Sequence, residues 1–283
     1  MGKAFEKLAV ANASGKHLCV GLDPDFDHAR KVIKGPRGYG MSDALVSDDD
    51  YAPHYVSEII KQTGKYAAAF KFNFEFWCNP DYNFQLLMVL RSMIQKIRFE
   101  YPDVAIILDR KYGDIGNTSG RSASFAVKLG VDAVTVNPYM GTRDVTDEFA
   151  KVGVDCFLLA RTSNLGGEEF QRRQVGKDVS LAEAVALSVR FGVRNDNPRG
   201  IVVGATNATE LANLQSLVPD VPFLIPGVGA QGGDLNAVVL AMQKHEAPWI
   251  VNVGRGIAEA SDDPATWPSL VAESAKKYHE AMK

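Results

Sequence analysis

At 283 residues, of which 46% are hydrophobic and 23% charged, the chain has a globular make-up and the length for one large α/β domain or two small ones. A formal net charge of −3 with no Lys/Arg-rich run excludes a nucleic-acid surface built on bulk basicity. Any anionic ligand therefore calls for a local site, and no stretch approaches the roughly 18 apolar residues a membrane span needs.

In chain order, the opening "MGKAFEKLAVANASGKH" lacks the apolar centre of a signal peptide, and a cytoplasmic location is expected. The first strand signal is "HLCVGLD", ending at Asp23. A long connection follows, 24–52, and then helical spacing over 53–64. "AAAFKFN" ends at Asn73, a helix is expected over 83–101, and "VAIILDRK" ends at Lys111. "AVTVNP" and "CFLLART" follow, the latter leading into a second long connection, 162–179. A helix over 180–192, the strand "GIVVGAT", the strand "PFLIPGVG", a helix over 233–245 and the strand "WIVNVG" complete the pattern.

These are eight apolar strands alternating with helices, the signature of a parallel sheet covered by helices. Eight repeats in this length fit a closed (β/α)8 TIM barrel spanning 1–283 as one domain, and no GxGxxG follows the first strand to favour a dinucleotide-binding sheet. The two long connections fall at C-terminal strand ends, where loops shape an active site. The acidic run Asp48 to Asp50 reads as a helix cap or solvated face.

Cys19, Cys78 and Cys156 are too scattered for a disulfide framework, and the five histidines show no metal-binding spacing; no metal and no cofactor are expected. The strand tips are more informative. They carry Asp23, Lys71 with Asn73, Asp109 with Lys111, Thr135 with Asn137, and Thr162 with Ser163. Residues two apart on a strand share a face, which puts Lys71, Asp109 and Lys111 into one patch of alternating charge with Asp114 joining from the loop. Flanking carboxylates would keep Lys111 cationic in a dry pocket. The same charges would also serve as an ion-pair network that merely closes the barrel.

A phosphate site weighs toward function. "PGVGAQGGD" and "VGRGI" follow the seventh and eighth strands, where barrels of this kind bind phosphate. Their glycines let backbone N–H groups approach an anion, and Arg255 offers a bidentate fork.

The set "LDRKYGDIGNT", "PGVGAQGG" and "GRGI" resembles orotidine 5′-monophosphate decarboxylase, whose hallmark is DxKxxDIxxT after the third strand. "CVGLDPD", "FKFNFEF", "TVNPYMG" and "ARTSNLGG" resemble its type 2 branch. The likeness runs from Cys19 to Ile257. It implies decarboxylation of orotidine 5′-monophosphate (OMP) to UMP in pyrimidine biosynthesis, without metal or cofactor. By position, Lys111 would be the proton donor, Asp109 would sit beside the departing carboxylate, and Lys71 would orient Asp109 and bind the ribose. Asp114, Ile115 and Thr118 would reach the neighbouring subunit's site, implying a homodimer with shared active sites. Asp23 and Asn73 would face the ribose and Thr162 and Ser163 the pyrimidine. Gly227, Gln231, Gly254 and Arg255 would hold the phosphate. Two rivals remain: a metal-dependent sugar-phosphate decarboxylase or aldolase of the same barrel suprafamily, and a non-catalytic binder of phosphate ligands.

Overall fold

The computed structural model describes residues 3–33, 48–78, 85–192, 199–229 and 232–283. The eight apolar runs form eight strands: β1 (Leu18–Gly21), β2 (Ala67–Asn73), β3 (Ala105–Tyr112), β4 (Ala133–Val136), β5 (Asp155–Arg161), β6 (Arg199–Val203), β7 (Phe223–Pro226) and β8 (Trp249–Val253). Each pairs in parallel with its sequence neighbour, and β8 returns to β1, closing a barrel. The strands are buried almost along their length because helices cover one face and the barrel interior fills the other, so their sequences are continuously apolar. The architecture is the (β/α)8 barrel that the alternation implies.

Local chemistry sets the helix ends. Ser180 and Glu183 close a reciprocal capping box at the start of helix Leu181–Phe191, and the Asp234 carboxylate accepts from the N–H groups of Asn236 and Ala237 at the start of helix Leu235–Met242. The connections differ from their sequence reading. Within 24–52 the chain forms helix Phe26–Val32, capped by Asp25, and helix Asp48–Thr63 begins upstream of the expected residue 53 with Pro53 inside it. Residues 34–47 lie outside the described residues. The 162–179 connection carries the short helix Glu168–Gln171 and a hairpin between Gln174–Gly176 and Val179–Ser180.

The barrel interior is plugged at the end opposite the charged strand tips. Small residues, Ala69, Ala105 and Ala133, leave room for Phe157, and the N-terminal helix Lys3–Ala13 drives Phe5 and Leu8 into the base. Phe5 meets Phe157 edge to face at 5.2 Å. Asp155 fixes this plug, its Oδ2 accepting from the Ala4 and Phe5 N–H groups at 2.8 and 3.1 Å.

Burial outweighs those two amide bonds and pushes the Asp155 carboxyl up to about 6. A folded-state value above the unfolded one means that folding favours protonated Asp155. Its contribution is greatest below about pH 4 and declines as pH rises to about 6, by up to roughly 3 kcal/mol. Asp155→Asn removes this titration while keeping an acceptor. Urea melts of both proteins should show the variant gaining on the wild type between pH 4 and 6; a variant that holds level or loses ground over that interval contradicts the assignment.

Candidate active site

At the open mouth, β2 and β3 pair with Lys71 opposite Ile107 and Asn73 opposite Asp109, so the long Lys71 side chain reaches one carboxylate further up the barrel. Lys71 Nζ donates to Asp109 Oδ2 at 2.8 Å, and Lys111 Nζ donates to Asp109 Oδ1, also at 2.8 Å. Thr135 Oγ1 donates to that same Oδ1 at 2.7 Å. One carboxylate thus accepts from three donors brought by three strands.

The electrostatics follow from burial against charge. Burial alone would push the Asp109 carboxyl up, but Lys71 and then Lys111 overwhelm it and hold the group well below the usual carboxylate range. For Lys71, burial would lower the amine, yet Asp109 and Asp23 raise it above its ordinary value. Lys71 and Asp109 therefore remain charged at neutral pH. Cys19, beneath them, is pushed by burial up to about 12 and stays a neutral thiol, which removes it as a nucleophile.

Lys111 reaches Asp109 by a route that strand alternation does not foresee. It has φ +52°, the left-handed region, and β3 loses register with β4 between Leu108 and Tyr112. The two residues meet because the strand kinks, not because a regular strand places them on one face. Arg110 turns away from the mouth, its guanidinium lying 4.0 Å from the centre of the Phe74 ring, and Tyr112 packs on Phe149.

A cavity of about 170 Å3 adjoins the cluster, lined by Asp23, Gly227, Gly254 and Arg255 among others. It joins the ribose-side and phosphate-side candidates on one surface. Asp25 and Glu259 line it too, so an anion there would have to be held by Arg255 and the glycine N–H groups. Gly227 has φ +101° and Gly229 φ +79°, and a Cβ on Gly21 would stand 3.0 Å from Gly254 Cα; these turns and that approach require glycine. Helix Arg255–Ala258 is braced from behind by Tyr55 Oη and Trp267 Nε1, which both donate to Ala258 O. A larger cavity, about 530 Å3, lies by His17, His245 and Trp249 at the opposite end of β8, away from the charged cluster.

Thr162 is held by Gln171. Gln171 Oε1 accepts from Thr162 N at 2.8 Å, and Gln171 Nε2 donates to Thr162 Oγ1 at 2.9 Å. Ser163 lies against the residue that follows β6, where a Cβ on Gly204 would fall 2.8 Å from Ser163 Cα.

With this geometry, comparison with known proteins is decisive. The sequence profile of the orotidine 5′-phosphate decarboxylase / HUMPS family matches residues 16–269. The chain belongs to that family. An orotidine 5′-phosphate decarboxylase of Variovorax paradoxus is 36% identical over 99% of this chain and 98% of its own, and one from Paracidovorax citrulli is 36% identical over 94% and 92%. Among solved structures, the Leishmania donovani OMP decarboxylase superposes with a TM-score of 0.77 at 29% identity, covering 99% of each chain.

The family's DxKxxDIxxT signature is spread over two surfaces here. Asp109 and Lys111 join Lys71, but Asp114 does not join that cluster: its Oδ1 accepts from the N–H of Ile115, and Asp114, Ile115 and Thr118 are exposed. The compact four-charge patch read from sequence is a three-charge patch within the chain. Nor is Lys111 secluded, being 49% exposed at the rim of the mouth. Asp23 Oδ1 accepts from Asn73 N at 2.9 Å, while the Asn73 side chain accepts from Glu75 N, capping the turn after β2. Gln231 lies outside the described residues. Thr135 and Gln171 are missing from the sequence-based site. Thr135 had a signal, its place at a strand tip level with Asp109; Gln171 had none. Among the described residues, no group of three or more His, Cys, Asp and Glu is placed to hold a metal ion.

Proposed function

We propose that this protein decarboxylates OMP to UMP and CO2 as a step of pyrimidine biosynthesis, using its own side chains. The observation that carries the reading is the Asp109 carboxylate with a lysine ammonium on each oxygen, in a chain 36% identical to named orotidine 5′-phosphate decarboxylases.

The chemistry explains the array. Loss of CO2 from C6 leaves an electron pair in the plane of the pyrimidine ring, where the π system cannot delocalise it. An ammonium fixed beside C6 stabilises that charge as it develops and then supplies the proton. Lys111 fills this role because its Nζ stands at the mouth, and Asp109 keeps it from swinging into solvent. Lys71 locks the other oxygen of Asp109, so the carboxylate faces the departing group without drifting. Gly227, Gly254 and Arg255 grip the phosphate, and Thr162 and Ser163 face the pyrimidine. Phosphate binding energy then serves to hold the reacting end in place.

Asp114, Ile115 and Thr118 lie exposed beside the mouth, and we assign them to the active site of a second copy in a homodimer. No described helix is long and apolar enough to cross a membrane, and we place the enzyme in the cytoplasm. The deciding experiment mixes the purified protein with OMP and EDTA and follows the orotate absorbance. Decay at full rate supports the reading. An inert mixture defeats it, and decay restored only by a divalent ion favours the metal-dependent sugar-phosphate lyases instead.

A further inference from the structure

At the point where the chemistry sits, β3 carries two residues more than β4. Leu108 pairs with Val134 and Tyr112 with Val136, so Asp109, Arg110 and Lys111 together stand opposite Thr135 alone. Ladder hydrogen bonds cannot continue across such a mismatch, and bulges of this kind re-aim side chains beside active sites. Lys111 absorbs the excess with its left-handed backbone, a conformation that a lysine keeps only where its surroundings over-determine it.

Thr135 supplies that surrounding. Its Oγ1 accepts from Lys111 N at 2.9 Å and donates to Asp109 Oδ1 at 2.7 Å. The amide can only donate and the ionised carboxylate can only accept, so the single hydroxyl proton has one destination. The residue is 2% exposed, and no bulk water competes for either bond. A threonine at this point of an otherwise apolar strand thus does what a valine of the same shape would not.

We propose that Thr135 is a positioning residue for the decarboxylation: its buried hydroxyl ties the Lys111 backbone to the Asp109 carboxylate, so that one group aims both the ammonium and its counter-ion. This rests on the assignment of Lys111 and Asp109 given above. Thr135 acts through these two residues. When Lys111 delivers its proton, Asp109 still has Thr135 and Lys71 as donors and holds its orientation for the next turnover.

Thr135→Val keeps the branched shape and removes both bonds. The turnover number should fall about 10- to 100-fold, the scale of loss for a misaimed catalytic group. KM for OMP and the affinity for UMP should stay within about threefold, because the phosphate and ribose contacts come from other strands. Thr135→Ser keeps the hydroxyl and loses only a buried methyl, so it should turn over faster than the valine variant while being itself less stable than wild type. With turnover read per folded molecule, a purely structural residue would leave it unchanged in both variants. A valine variant with wild-type turnover, or a serine variant as slow as valine, overturns the proposal. Should the valine variant not fold, Thr135→Ser against Thr135→Ala decides it in the same way. Wild-type protein inert toward OMP would sink the functional reading instead, whereas active wild type with an unimpaired valine variant sinks this proposal alone.

Discussion

Lys111→Ala should lower turnover of OMP by at least roughly 10⁴-fold, since it removes both the charge that stabilises the carbanion and the acid that quenches it. UMP should still bind within about tenfold of wild type, because its phosphate and ribose are held elsewhere. The asymmetry is the content of the prediction. A lysine whose role was to close the barrel would, once removed, leave Asp109 short of a donor and reduce stability, with turnover following only the loss of folded protein. Here the backbone of Lys111 is fixed by Thr135 and Asp109 keeps Lys71, so the fold has no reason to fail. The turnover number from the absorbance assay and the UMP affinity by calorimetry test this together. Near-normal turnover in the variant would remove Lys111 from its role.

The pair beneath it sets the pH window in which the array exists. The depressed Asp109 value means that its stabilisation is present above about pH 4 and lost as pH falls through the folded-state value. The raised Lys71 value means that its share is present below about pH 10 and lost as pH rises through the folded-state value. Neither group changes charge near neutrality.

The barrel was legible because strands buried on both faces must be apolar, and eight such runs leave few other closures. Lys71 and Asp109 were legible for the converse reason: charges that interrupt an apolar run at its C-terminal end have little to do except line the mouth. The kink at Lys111 was not. Strand alternation assumes a regular ladder, and no glycine marks the place where β3 takes up two extra residues, so the sequence rule reached the right partner through the wrong geometry. Thr135 stands out in sequence as a polar strand-tip residue but carries no role there, because its hydroxyl acquires meaning only when the bulge brings two partners to it. Gln171 belongs to a connection whose fold depends on long-range ion pairs, among them Arg161 with Glu210 at 2.6 Å, which no local pattern encodes. Asp114 was placed in the wrong cluster by adjacency along the chain; the strand ends before it, and it stands exposed in the loop ahead of the helix Gly116–Leu129.

That exposed face leads to the second large effect. If Asp114 serves the neighbour's site, Lys111→Ala and Asp114→Ala chains are each nearly inactive alone, yet a mixture of the two regains activity. In a mixed dimer one site has both replacements, while the other combines intact Lys111 from one chain with intact Asp114 from its partner. Random pairing at equal concentrations makes half the dimers mixed, each with one native site, so the recovered rate approaches about a quarter of wild type. Recovery should require subunit exchange and appear with its time course, which excludes contamination by wild-type protein. Sedimentation at assay concentration provides the companion measurement. A monomeric protein, or a dimer whose mixture stays inactive after exchange, would return Asp114 to its own chain and leave its exposure at the mouth without a catalytic meaning.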